Sequence, residues 1–147
     1  MYLNEIDFTT LTDAEDIELI TNSDSDKRDR ATKMALDEMR SYMRKKYRIE
    51  QEFAKTGEER NEYLIMITLD ITLYHLFSML ASRMGMETRK ERYDSAIEWL
   101  KGVRDGKTDP GIPSIDDPEV SGTNPEDNPE MFDNFRYGSN TKNDYSW

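Results

Sequence analysis

The sequence predicts an all-α protein, a small four-helix bundle followed by a long extended C-terminal arm. Two observations predict the bundle: apolar residues recur at helical spacing in four stretches between residues 11 and 104, and the connections between them are short. A third predicts the arm. All five prolines lie after residue 105, with nine acids against three bases and no pattern that would bury a core.

The first stretch, "FTTLTDAEDIELIT", predicts a short helix near residues 11–21. A threonine precedes acids in the first turn, where the helix dipole favours them, and Leu11, Ile17 and Ile20 supply an apolar face. The second, "SDSDKRDRATKMALDEMRSYMRKKY", opens with serine and aspartate caps and closes with Arg44, Lys45 and Lys46 against the negative helix end. Thr32, Ala35, Leu36, Met39, Tyr42 and Met43 fall on one side of it, which makes it amphipathic. The third, residues 59–84, is apolar nearly all round, so it must sit among its neighbours, and Gly85 follows as a C-capping glycine. The fourth, residues 88–104, places Tyr93, Ala96, Ile97 and Leu100 in one stripe with Trp99 beside it, and Gly106 ends it.

The chain therefore divides into a helical body, residues 1–105, and an acidic, proline-containing arm, residues 106–147, that ends in an aromatic segment. The body holds 22 acids and 17 bases, net −5, and the arm 9 acids and 3 bases, net −6, which together give the chain's −11. A pI near 4.6 argues against a protein whose main business is gripping nucleic acid, because that affinity is built on Lys and Arg neutralising phosphates, but not against one that DNA merely passes. No cysteine is present, which removes disulfides and thiolate chemistry and suits a reducing compartment, and "MYLNEIDF" has neither the basic nor the apolar region of a secretion signal. The apolar run "YLIMITLDITLYHLFSMLASRMG" is not read as a membrane span, since Asp70 and His75 lie near its middle and a carboxylate there costs about 2.5 to 3.5 kcal/mol.

Asp70 lies at helical spacing from Tyr63, Met66, Ile67, Tyr74 and Phe77, so it faces protein and needs a partner, an arginine or the hydroxyl of Tyr74 or Tyr42. A structural bond is the first reading of it, with a subunit-interface pairing and catalysis as alternatives. His75, the one histidine, projects about 140° away around the helix and forms no simple dyad with Asp70. With no metal-ligand spacing, no phosphate loop and no nucleophile motif, the sequence points to no enzyme, no metal and no cofactor. The cluster "RKKYR" is the basic patch of the chain: Arg44, Lys45, Lys46 and Arg48 either stabilise a helix end or meet an acidic partner or passing DNA.

In order along the chain, "MYLNEIDF", "SYMRKKYRI", "LDITLYHLF" and "RYDSAIEWLKGVRDGK" resemble the head-to-tail connector proteins of tailed phages, in particular the Mu-like group, itself similar to the helical adaptors of HK97-type phages. The matching positions include Tyr42, Tyr47, Arg48, Asp70, Tyr74, Tyr93, Trp99 and Gly106, over roughly residues 1–110. Two departures stand out: the charged "IEQEFAKTGEERNE" replaces a proline-bearing loop after Tyr47 and Arg48, and the arm is longer than the pattern.

The resemblance implies a structural virion protein of the neck, present in the host cytoplasm during assembly and then at the head-to-tail interface. It implies a homo-oligomeric ring of about twelve copies under the portal protein. That ring extends the DNA channel, lets DNA pass without specific binding, and meets the next neck or tail protein. Asp70, Tyr74, Tyr93 and Trp99 then serve as structural or subunit contacts, and the arm as the attachment to the portal or a neck protein. The arm's own composition agrees: Phe132, Phe135, Arg136, Tyr137, Tyr145 and Trp147 give it anchors that a purely solvating linker lacks, seated one copy at a time and strengthened by avidity. Under this reading a lumen lined with carboxylates offers DNA no counterion-releasing contact. The alternatives from other classes are a small helical interaction or regulatory protein with an acidic partner-binding tail, and an enzyme using Asp70 and His75.

Overall fold

The computed structural model describes residues 1–12, 14–21, 25–79 and 86–118. The described residues are helical with no strand: α1 (Glu5–Thr9), α2 (Ala14–Thr21), α3 (Ser25–Met43), α4 (Ile49–Phe53), a 3-10 turn (Gly57–Glu59), α5 (Glu62–Ser78) and α6 (Met86–Arg104). The four expected helices are α2, α3, α5 and α6. Two short helices, α1 and α4, join them, each too brief to leave a periodic signature in the sequence.

Local chemistry sets the boundaries. Asn4 and Asp7 form a reciprocal capping box on α1, the Asn4 side chain accepting from the Asp7 amide at 3.2 Å and the Asp7 carboxylate from the Asn4 amide at 2.7 Å. The central helix begins at Glu62 rather than at 59, because Asn61 caps it by accepting from the amides of Tyr63 and Leu64 at 3.0 and 3.2 Å. It ends at Ser78, and the expected continuation through residue 84 to Gly85 lies outside the described residues. At the end of α6, Gly106 adopts φ +76°, its amide donates to Val103 and that of Lys107 to Gly102 at 2.8 Å. That pair of bonds satisfies two orphan helix carbonyls, and only glycine takes the left-handed turn without strain.

Helix α5 is buried on nearly every side, as an all-apolar helix requires. On one side Ile65, Leu69, Leu73 and Leu76 pack with Tyr2, Leu3 and Phe8 of the N-terminal segment. On the other, Leu64, Ile67 and Ile71 pack with Met39 and Met43 of α3 and with Ala96, Leu100 and Val103 of α6. Ile112, past the end of α6, belongs to this second cluster and is 7% exposed.

The compact unit runs from Met1 through Asp117. The proline-rich start of the arm is part of the body: the Arg48 amide donates to the Pro113 carbonyl and the Ile115 amide to the Lys46 carbonyl, both at 3.0 Å, around an isolated antiparallel bridge between Tyr47 and Ser114. Prolines forbid helix here but not packing, and one buried isoleucine fixes the segment. Residues 119–147 lie outside the described residues, and with them the expected extended arm.

Candidate functional site

The ionisable residues inside the bundle are brought into three groups, each spanning different helices. Asp70 on α5 meets Arg92 on α6, whose Nε donates to Oδ1 at 2.6 Å. The carboxylate is 8% exposed and the arginine 39%, so the charge that needs the partner is the inner one. The expected need of Asp70 for an arginine or a tyrosine hydroxyl is met by the arginine.

The second group gathers around Glu38 of α3. Tyr93 donates its hydroxyl to Glu38 Oε1 at 2.7 Å, and His75 Nε2 lies 3.1 Å from Oε2. Tyr74 stacks on Tyr93 with ring centroids 4.1 Å apart. Burial, and then the bond to Glu38, push the Tyr93 phenol well above its ordinary range. Both carboxylate oxygens are engaged, and Tyr74, His75 and Tyr93 form one aromatic wall. His75 and Asp70 belong to different groups, as their spacing around the helix required.

The third group was not read from the sequence. Glu52 of α4, with a side chain only 1% exposed, accepts from the Tyr2 hydroxyl at 3.1 Å, from the Asn61 amide at 2.6 Å and from Lys55 Nζ at 2.5 Å. Arg60 meanwhile pairs with Asp7. Two buried charges of the segment that replaces a proline-bearing loop, Glu52 and Arg60, thus clamp the N-terminal residues. Burial, and then the charge of Glu52, push the Tyr2 phenol far up. The signal that could have found its N-terminal side is the capping-box spacing of Asn4 and Asp7, which marks a helix start at residue 5. A parallel tie joins α6 to the N-terminal region, where Arg89 donates to the Leu11 carbonyl at 3.1 Å and to the Thr12 hydroxyl and lies over the Phe77 ring. Burial and the nearby Arg92 lower the Arg89 pKa.

The basic patch separates into two parts. Arg44, Lys45 and Lys46 are exposed. Arg48 is half-buried and holds the C-terminal segment, donating from Nε to the Ser114 carbonyl at 3.1 Å and from Nη2 to the Asp117 carbonyl at 2.5 Å. Trp99 is half-buried, its ring tilted on that of Tyr63 at 5.1 Å, and Tyr63 is 47% exposed. Phe132, Phe135, Arg136, Tyr137, Tyr145 and Trp147 lie outside the described residues.

No group of three or more metal-ligating side chains occurs among the described residues, and no described helix is long and apolar enough to cross a membrane. Every buried side-chain nitrogen and oxygen among them has a hydrogen-bond partner. Among the described residues an open groove of about 460 Å³ lies beside Ile6 and Phe8, lined also by the Arg28–Glu5 ion pair.

No curated protein and no solved structure matches the chain. A family model described as "Bacteriophage Mu, Gp36" matches residues 2–126, a span that takes in every described helix, the clamp on the N-terminal residues and the segment held by Arg48. The chain belongs to the bacteriophage Mu Gp36 family.

Proposed function

We propose that this chain is a structural protein of the phage neck, forming a ring beneath the portal that extends the DNA channel and joins head to tail. The observation that carries the reading is the match to a bacteriophage family across residues 2–126. Two features of the molecule support it. Both ends of the compact unit are fastened, the N-terminal residues by Arg60 and Glu52 and the C-terminal segment by Arg48, as suits a part that must bear load without unravelling. Beyond Pro118 the sequence keeps its aromatic anchors, Phe132 to Trp147, which serve as the attachment to the portal or to another neck protein. In this reading the chain has no catalytic role and takes no cofactor, and DNA passes the ring without specific binding.

The test is light scattering on a size-exclusion column with the cognate portal, comparing the full chain with one ending at Asp117. The cut belongs there because residues 108–117 pack on the body. The full chain is expected to join the portal at about twelve copies and the shortened chain to bind at least tenfold more weakly. If both remain monomeric and ignore the portal, the chain is instead a small helical interaction or regulatory protein whose acidic tail meets a different partner.

A further inference from the structure

The chain contains two aspartate–proline bonds, Asp109–Pro110 and Asp117–Pro118. Bonds of this kind are the most easily hydrolysed links of a polypeptide, for a chemical reason. The aspartate carboxylate can reach its own backbone carbonyl carbon, and the departing nitrogen belongs to proline. That nitrogen carries no N–H and leaves as a secondary amine, a stronger base than the primary amine any other residue would release. In the sequence the two bonds are equals, but the structure treats them differently.

Pro110 is buried and its carbonyl accepts from Asn61 Nδ2 at 3.3 Å, which fixes the first bond against the start of α5. The Asp109 carboxylate is turned forward, Oδ1 accepting from the Gly111 amide at 2.8 Å. The second bond is exposed on both sides, at Asp117 and at Pro118. Its carbonyl oxygen accepts from Arg48 Nη2 at 2.5 Å, a charge-assisted bond from a side chain that stays cationic at every working pH. Arg48 is itself held, its Nε donating to the Ser114 carbonyl at 3.1 Å. The Asp117 carboxylate is held in the same turn, Oδ2 accepting from the Ser114 amide at 2.7 Å, while Oδ1 has no partner among the described residues. The other charge beside it is that of Asp116, exposed, whose amide donates to Ser114 Oγ at 3.2 Å.

We propose that Asp117–Pro118 is a self-cleavage site, with Asp117 as the nucleophile and Arg48 as the group that stabilises the carbonyl oxygen. Asp117 Oδ1 forms a bond to its own carbonyl carbon and closes a cyclic anhydride. Negative charge develops on the carbonyl oxygen as it does so, and Arg48 Nη2 already donates to that atom. The C–N bond to Pro118 breaks with its electron pair on nitrogen. That nitrogen takes a proton from a water molecule, and the hydroxide left behind opens the anhydride. One water is consumed, Asp117 ends in two carboxyl groups, and Pro118 becomes a new N-terminus. The cut leaves the compact unit, Met1 through Asp117, in one piece, and the proposal does not depend on the neck reading.

The test is intact-mass spectrometry of the full chain held at about pH 6, above its pI of 4.6 so that it keeps a net negative charge, with and without urea. A fragment of residues 1–117 is expected to accumulate from the folded chain at least about tenfold faster than a fragment of residues 1–109, and at least about tenfold faster than in urea. Arg48→Lys keeps the charge but not the fork and is expected to slow the cut by about tenfold, and Arg48→Gln by more. These factors lie below those of a dry oxyanion site because Asp117 meets water. Asp117→Asn keeps an acceptor for the Ser114 amide, Pro118→Ala changes one exposed residue, and each is expected to abolish the fragment. Helical circular dichroism shows that the variants are folded. Absence of the fragment of residues 1–117 from the folded wild type overturns the assignment. So does a rate unchanged by urea, or by Arg48→Gln with the helical signal intact, since the bond would then break by its local chemistry alone.

Discussion

Arg60 grips the Asp7 carboxylate with two guanidinium hydrogen bonds, from Nη1 at 2.5 Å and from Nη2 at 3.2 Å, across 53 positions of sequence. Their side chains are 8% and 11% exposed. The same guanidinium donates to the Tyr2 carbonyl at 2.7 Å and to the Gly57 carbonyl at 2.9 Å, so one residue joins the N-terminal segment, α1 and the 3-10 turn. Arg60→Ala strands a buried carboxylate and a buried carbonyl, and is expected to cost about 3 to 5 kcal/mol. Asp7→Asn keeps one acceptor oxygen but removes the countercharge of the buried guanidinium, and is expected to cost somewhat less, about 2 to 4 kcal/mol. Urea unfolding of both variants checks the order. Equal, small losses would mean that the N-terminal segment is not fastened by this pair.

Asp70 shows how much of this was legible in the sequence. A carboxylate among apolar residues at helical spacing requires a cation or hydroxyl, and the sequence supports that inference without any structure. Which group answers depends on how α6 crosses α5, and neighbouring turns of α6 offer both Arg89 and Arg92. The Arg48 case runs the other way. Local charge made it one of a basic patch, yet it is spent on the carbonyls of residues 114 and 117, a pairing no local pattern can announce. Ile112 was hidden for a related reason, since two isoleucines among prolines set no helical period, and nothing local says that Ile112 is buried while Ile115 is exposed. The long helices were visible because each repeats its apolar face over four or five turns.

Arg92→Ala removes the partner of Asp70, but the arginine end of the pair is 39% exposed and water can reach the vacated side. The expected loss is therefore about 1 to 3 kcal/mol, below the range for a fully buried pair. A double-mutant cycle with Asp70→Asn is expected to give a coupling of at least about 0.5 kcal/mol by chemical denaturation. Strictly additive losses would show that the two side chains act independently.

Tyr2 and Tyr93 predict an alkaline limit to stability. Both phenols are pushed above their ordinary value of 10.0, first by burial and then by Glu52 and Glu38 respectively. The folded chain therefore resists phenolate formation, and the unfolded chain loses those protons first. Stability is unaffected by these groups below about pH 10 and falls as pH rises above it. Urea midpoints between about pH 8 and about pH 11 are expected to decline less steeply in the Tyr2→Phe, Tyr93→Phe double variant than in the wild type. Parallel curves would remove the two phenols as the cause.

Ile112 predicts where the body ends. It lies past the last helix, 7% exposed, in one apolar cluster with residues of α3, α5 and α6. Truncating it leaves a cavity among close-packed neighbours, so Ile112→Ala is expected to cost about 2 to 4 kcal/mol. Two shortened chains then separate packing from attachment. A chain ending at Asp117 retains Ile112 and the backbone bonds of Arg48 and Ile115, and its melting temperature is expected to stay within about 2 °C of the full chain. A chain ending at Lys107 loses all three and exposes the apolar wall they covered, and its melting temperature is expected to fall by at least about 5 °C. Equal melting temperatures for the two shortened chains would mean that residues 108–117 rest on the body without stabilising it, and the body would then end with α6.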